Sequence, residues 1–313
     1  MGASHTRGLL PHQFNESAVA ILVLLAEKVN VLMRIARPTS ALASLVVALS
    51  LLVCACSEMD RAKSDESAAR RYSVRGIYGR DSSATGFDHL ARLGFNFIDS
   101  GPYKDRMQRL TKRGLEGFVW LGGYSNTTCS FVKSDRWVRT RVAEIAHTHG
   151  VGAYFIDDEP DASKCANSPA QIRARSRLVK SIDSRVPTFL VTYHVDQLKL
   201  FARTVDVIGL DHYPCSRKHG CDYSVIDEQA AEADRLGIRY WGVIQAYGDD
   251  WYALPSPDEL HRQFERWRQT EMEGYLVFGW RWPLDQPDLW LERQRQLHSQ
   301  LAGENKRAST GGS

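Results

Sequence analysis

The sequence predicts a single (β/α)8 barrel, the TIM-barrel class of α/β fold, and two observations carry that prediction. From residue 73 onward, eight short apolar runs alternate with polar stretches that place apolar residues at helical spacing. The runs are rich in β-branched and aromatic residues and alternate only weakly, as parallel strands covered on both faces do. Eight strand–helix units between residues 73 and 300 suit such a barrel, which typically takes about 250 residues. An open doubly wound sheet usually has fewer strands, and no Gly-x-Gly-x-x-Gly follows the first run.

The strands are expected at Val74–Tyr78, Phe95–Asp99, Gly117–Leu121, Ala153–Asp157, Thr188–Tyr193, Val205–Asp211, Tyr240–Ala246 and Tyr275–Trp280. Between them, Gly86–Gly94 sets Phe87, Leu90 and Leu93 on one side, and Trp137–His149 does the same with Val138, Val142 and Ile145. Pro169–Ile182, Tyr223–Leu236 and Pro257–Thr270 behave alike. Pro257 followed by Asp258 and Glu259 is a helix start, with proline in the first turn and carboxylates at the positive end of the dipole. Residues 301–313 are Gly/Ser-rich and are expected to be disordered.

The first 56 residues read as an export region rather than as fold. Ala41 to Ala55 is a run of small and apolar residues behind Arg34 and Arg37, too short to span a bilayer comfortably. It ends in Val53-Cys54-Ala55-Cys56, which resembles a bacterial lipobox and by that resemblance makes Cys56 the lipidated residue. An ordinary signal peptide or an uncleaved anchor is the alternative. Met33 stands where such a signal would begin, so residues 1–32 are expected to be an over-extended start; their stretch AVAILVLLA is otherwise a first anchor helix. Residues 57–72 are mostly polar and charged and suit a flexible tether.

Composition bounds the partners. With 40 basic and 37 acidic side chains the net charge is +3, and the arginines form no stripe with interleaved aromatics, so no nucleic-acid partner is expected. Cys129, Cys165, Cys215 and Cys221 remain after the signal, an even number that suits two disulfides in an exported chain. Cys215 and Cys221 flank a short polar loop and are expected to pair with each other, which would leave Cys129 for Cys165. A metal site is the rival reading, but no Cys-x-x-Cys or His-x-x-x-His spacing supports it, and neither metal nor cofactor is expected.

Chemistry concentrates where the fourth run stops. Tyr154-Phe155-Ile156 gives way to Asp157-Asp158-Glu159-Pro160. Crowded carboxylates repel one another, so at least one should hold its proton near neutral pH and be able to donate it. The plain alternative is a solvated acidic turn, or carboxylates at a helix N-terminus. The C-terminal ends of barrel strands carry the active site, and the other ends here are Tyr78 with Arg80, Asp99-Ser100, Trp120 with Tyr124 beyond, Tyr193-His194, Asp211-His212-Tyr213, Gln245-Ala246-Tyr247 and Trp280-Arg281-Trp282. Any one aromatic here is more simply core packing; aromatics at most of the ends suit sugar rings, whose hydroxyls also need convergent polar groups.

The chain resembles the (β/α)8 glycoside hydrolases, loosely the large clan whose fourth strand ends in Asn-Glu-Pro, with Asp158-Glu159-Pro160 at that place. The resemblance implies Glu159 as general acid/base, Asp211-His212-Tyr213 beside the reaction centre, and Trp280 lining a sugar subsite. It breaks at strand seven, where the clan's nucleophilic glutamate is replaced by Gln245 in Val243-Ile244-Gln245-Ala246. Three readings remain. Asp211 supplies the second carboxylate, for instance as base in an inverting reaction. Or catalysis is substrate-assisted, since Asp157-x-Glu159 resembles the Asp-x-Glu ending of chitinase-type barrels, in which Asp157 would orient an acetamido group; Gly152 and Tyr154 stand where that family has further aspartates. Or the barrel binds glycans without cleaving them.

The site expected from sequence therefore has Glu159, Asp157 and Asp211 as catalytic groups, with Trp120, Tyr124, His194, Tyr213, Gln245, Tyr247, Trp280 and Trp282 around the sugar. A glycan-acting monomer is expected, exported to the bacterial envelope on a lipid anchor or secreted. The competing class is a carbohydrate-binding envelope lipoprotein without catalysis.

Overall fold

The computed structural model describes residues 72–79, 84–280 and 287–310. The export region, Cys56, all of the tether but Tyr72, Arg80, Arg281 and Trp282 lie outside the described residues. Eight parallel strands close into a barrel: β1 (Val74–Gly79), β2 (Phe97–Ser100), β3 (Glu116–Trp120), β4 (Val151–Asp158), β5 (Thr188–Thr192), β6 (Val207–Leu210), β7 (Tyr240–Gln245) and β8 (Gly274–Trp280). Each pairs with its neighbours in sequence, and β8 returns to β1 with Val74 opposite Gly274. All eight expected strands are present. Among the described residues the α-helices are α1 (Ala84–Arg92), α2 (Lys104–Thr111), α3 (Asp135–Ile145), α4 (Ser168–Lys180), α5 (Leu198–Phe201), α6 (Ser224–Arg235), α7 (Pro257–Arg268) and α8 (Pro287–Thr310).

Side-chain alternation sorts the core into two layers. Phe97, Phe118, Ala153, Phe155, Phe189, Val191, Val207, Trp241, Val243 and Leu276 fill the lumen. Phe155 and Phe189 stack at 4.4 Å across β4 and β5. The residues between them in sequence, such as Tyr154, Leu190 and Ile208, face outward and meet the helices. Alternation carries each strand's last inward position to the rim, which makes a barrel end a site.

The helices end where their sequences say. Ser256 and Glu259 form a capping box ahead of Pro257, which fixes the start of α7 and so sets Trp267 against β7. Ser134 accepts a hydrogen bond from Trp137 N and starts α3. The tail departs from expectation. α8 runs to Thr310, with Leu301, Glu304, Asn305 and Ala308 buried. Asn305 accepts from the Tyr275 hydroxyl and donates to Leu93 O at 2.8 Å, and Tyr72 N donates to Ala308 O. Its Gly/Ser content concealed an apolar helical face that closes the barrel against its own first strand. Tyr72, at the end of the expected tether, is buried here too.

The loops after β3 and β6 each fold into a short hairpin, Tyr124–Ser125 with Ser130–Phe131 and Cys215–Ser216 with Gly220–Cys221. The disulfides are Cys129–Cys165 and Cys215–Cys221, the pairing expected from sequence. The first spans 36 residues and joins the β3 hairpin to the loop after β4. By loop-closure entropy alone it contributes about 4 kcal/mol.

Close packing of α7 on β7 is testable. A Cβ at Gly242 would lie 2.7–3.0 Å from the indole of buried Trp267. Gly242→Ala is therefore expected to cost about 1–3 kcal/mol by overpacking, read as a lower urea midpoint; an unchanged midpoint would show that α7 is not held against β7 in this way.

Candidate active site

The β4 rim is shaped by one extra residue. Phe155 faces Phe189 on β5, but the next pairs are Asp157 with Leu190 and Asp158 with Val191, so Ile156 bulges out of the ladder. Simple alternation from Phe155 would turn Asp157 inward. The bulge instead sends Asp157 to the outer face beside Leu190 and gives the inward position, beside Val191, to Asp158.

The three acids after the bulge have different surroundings. Asp157 is 1% exposed, and its Oδ1 accepts from Tyr124 N in the β3 hairpin while Oδ2 has no partner. Burial pushes its pKa up to about 8, only partly offset by that hydrogen bond. Asp158 is open to solvent, yet the rim packed around it, and then Glu159 beside it, push its pKa up to about 7. Glu159 follows in a left-handed conformation, φ 54°, unusual for a residue with a side chain.

Asp211, the next residue after β6, completes the centre. It is 2% exposed, its Oδ1 is unpartnered, and its carboxyl lies beside that of Glu159. Burial first, then the charges of Glu159 and Asp158, hold its pKa well above the ordinary carboxylate range. Of the two, Asp211 is the carboxyl whose proton is held, which keeps two like charges from facing each other.

Aromatics wall this centre. Tyr78 rises from β1 with its ring against Phe118, Phe155 and Phe278, and its hydroxyl has no partner. Burial raises its pKa first, and Asp158, Asp211, Asp99 and Glu159 add to the effect. Tyr193 and Tyr252 are also raised, first by burial and next by Glu159. Tyr213, Tyr247, Tyr252 and Phe278 pack ring to ring at 4.9–6.0 Å. Trp120 leans edge-on over Phe155 and is 37% exposed, while the ring of His194 lies 3.9 Å from that of Tyr193.

Glu159, Asp211, Trp120, His194, Tyr213 and Tyr247 thus stand at the same end of the barrel, as the strand-end reading expected. Trp280 ends β8, and its side chain lies outside the described residues. Three expected site residues are engaged elsewhere. Asp157 faces the hairpin. Tyr124 is packed inside that hairpin, edge-on to Phe131, its hydroxyl accepting from Gln171. Gln245 is fully buried: its Oε1 accepts from Cys215 N, and its Nε2 donates to Cys215 O, Tyr247 O and Ala253 O. These contacts leave its amide nothing with which to hold a sugar. Asp158 and Tyr78 were named at strand ends but not placed in the expected site, and Tyr252 was not named. Asp158 required foreknowledge of the bulge; Tyr252 lies in a loop with no strand pattern.

Gln245 ties the loop 249–253 to the disulfide hairpin. Asp249 Oδ1 accepts from Trp251 N and Tyr252 N, Arg217 N donates to Trp251 O, and Ser216 bridges Tyr252. The indole of Trp251 projects from this pinned backbone and is 79% exposed. Among the described residues, no three or more His, Cys, Asp or Glu side chains are grouped to hold a metal ion. Among them, too, no helix is long and apolar enough to cross a membrane.

No family model matches the chain, and no curated protein matches it in sequence. Solved structures do match. A protein of Bacteroides thetaiotaomicron VPI-5482, described as an alpha-L-fucosidase, is similar over 72% of this chain and 92% of its own, at 13% identity and a TM-score of 0.52. Beta-glucuronidase 2 of Bacteroides uniformis, as a calcium-binding mutant, matches 66% of this chain at 12% identity and a TM-score of 0.50. This chain spans only 30% of that enzyme's length. The likeness is one of fold. It places the chain among barrels of this architecture.

The burial of Asp157 has a measurable consequence. Its folded pKa of about 8 lies above the unfolded value of about 3.9, so its contribution is fully present below pH 4 and is lost as pH rises through 8. The loss is on the order of 5 kcal/mol at its full extent. Asp157→Asn keeps the acceptor for Tyr124 N and removes the ionisation. The variant should therefore gain stability relative to the wild type between pH 4 and pH 8 in urea titrations; a constant difference would show that Asp157 ionises freely in the fold.

Proposed function

We propose that this barrel hydrolyses glycosidic bonds, with Glu159 as general acid. The observation that carries the reading is the Glu159–Asp211 carboxyl pair at the barrel rim, beside Asp158 and under an aromatic wall. Asp211 holds its proton above the ordinary carboxylate range beside Glu159, so the pair can supply the proton that a leaving glycosidic oxygen needs. The glycosidases of matching fold support the substrate class.

The second group is the harder question. Retaining enzymes hold their two carboxyls about 5–5.5 Å apart and inverting ones about 6.5–9.5 Å. Glu159 and Asp211 lie carboxyl beside carboxyl rather than across a sugar from one another. Asp211 thus serves Glu159 as proton-sharing partner rather than as nucleophile or base. Asp158 is adjacent to Glu159 in the chain, so it is badly placed for attack from the face opposite Glu159. These placements favour substrate assistance. The carbonyl oxygen of a 2-acetamido group attacks the anomeric carbon as Glu159 protonates the leaving oxygen, and Asp158 accepts the acetamido N–H. Water then opens the cyclic intermediate with Glu159 as base. The role expected of Asp157 passes to Asp158.

The chain is proposed to act outside the cytoplasm, on a lipid anchor at Cys56 or secreted. Its two disulfides support an oxidising compartment. A glycan-binding protein without catalysis is the second reading, favoured by the absence of a carboxylate from the end of β7.

Screening the barrel against 2-acetamido-containing and plain polysaccharides tests the proposal. Glu159→Gln should lower kcat at least 100-fold, the scale of a lost general acid, and unimpaired turnover by that variant would refute the assignment. Trp251, exposed on its pinned loop, is expected to stack a sugar beyond the cleavage point. Trp251→Ala should raise KM about tenfold on long oligosaccharides, the scale of one lost stacking contact, and leave it unchanged on a short chromogenic glycoside; equal effects on both would remove the outlying subsite.

A further inference from the structure

One amide in the β3 hairpin holds the backbone of the proposed acid. Asn126 Nδ2 donates to Glu159 O at 2.9 Å, and Asn126 Oδ1 accepts from Asp161 N at 2.9 Å. Glu159 N donates to Val191 O on β5, also at 2.9 Å. Glu159 is therefore gripped on both sides of its α-carbon while it holds φ 54°. A non-glycine residue held there is strained and persists where its surroundings over-determine it.

The hairpin is itself held from beyond Glu159. Cys129, three residues after Asn126, is bonded to Cys165 in the loop after β4. The Cys165 Sγ lies 3.4 Å from Asn126 O, and Cys165 N donates to Asp161 O. Gln171 on α4 donates to Cys129 O at 3.2 Å. Asn126, Asp161 and the disulfide thus form one closed frame around the Glu159 turn. Its two sulfurs are unequally accessible, since Cys129 is exposed and Cys165 is 2% exposed.

We propose that Asn126 is a positioning residue that aims Glu159 at Asp211, and that the Cys129–Cys165 bond holds Asn126 in register, so that reduction of this bond switches the site off. The inference rests on the hydrolytic reading for its turnover assay but not for its second readout. In the switching step a dithiol reductant attacks the exposed Cys129 sulfur as thiolate. The S–S bond breaks, and Cys165 leaves as thiolate and takes up a proton. The reductant's second thiol then displaces Cys129 and becomes an intramolecular disulfide. Two electrons pass from the dithiol to the protein, which gains two thiols.

The test compares wild type, Asn126→Ala, and the double variant Cys129→Ser/Cys165→Ser. Where a glycan is turned over, both variants should lose kcat by 10–100-fold with KM changed less than twofold, the scale of a misaimed catalytic group. Independently of turnover, Glu159 and Asp211 are labelled with a water-soluble carbodiimide across pH and read by mass spectrometry. In the wild type the Asp211 profile should lie well above the ordinary carboxylate range; in both variants, with Glu159 no longer held beside it, that profile should move down. Dithiothreitol treatment of the wild type should reproduce the double variant, and reoxidation should reverse it. If no glycan is turned over by the wild type, the hydrolytic reading fails while the labelling still decides the positioning role. Labelling profiles unchanged in the variants and after reduction overturn the proposal, even if melting temperatures fall.

Discussion

The bulge at Ile156 is the constraint on which the site depends. A β-strand alternates with period two, so one inserted residue exchanges the faces of everything beyond it. Here it turns Asp157 onto the hairpin after β3 and Asp158 into the lumen's mouth. Glu159 then begins the descent toward α4 in a left-handed turn. Three consecutive acids are thereby given a buried, a rim and a paired environment. Without the bulge, two of them would compete for the same inward space.

The hairpins after β3 and β6 follow the same logic. Each is a short loop excursion stapled by a disulfide, and each reaches back to hold a strand end. The first meets β4 through Tyr124 and Asn126, the second meets β7 through Gln245. A rim built of loops is mobile by default, because loops bury little. Here covalent staples and side-chain amides tie the rim to the strand ends, which suits a site whose groups must be held in fixed relation.

The barrel was legible in the sequence because each strand is a compact apolar run bounded by polar punctuation. Tyr240–Gln245 and Thr188–Thr192 could be read almost to the residue. Helix α2 was harder, since only Met107 and Leu110 of its eight residues are buried. α8 was misread at its C-terminal end, where composition suggested disorder while Leu301, Asn305 and Ala308 lay on one face at helical spacing. At the site, residue types and strand ends were readable, which is why Glu159 and Asp211 could be named. What could not be read was direction. Whether Asp157 or Asp158 faces the lumen depends on a bulge, and whether Gln245 meets a ligand or a backbone depends on a loop thirty residues away in sequence.

The hydrogen-bond pattern of Gln245 also explains why β7 carries no acid. Its Nε2 faces three carbonyl oxygens, those of Cys215, Tyr247 and Ala253. An ionised carboxylate in that place would set negative charge against three acceptors in a buried pocket, and would donate nothing to any of them. The amide is isosteric with glutamate, so the shape of a strand-seven acid is kept while its chemistry is shut out. A barrel that welds its rim loops to β7 in this manner has closed one evolutionary route to a protein-borne nucleophile, and any chemistry it performs must find its nucleophile elsewhere.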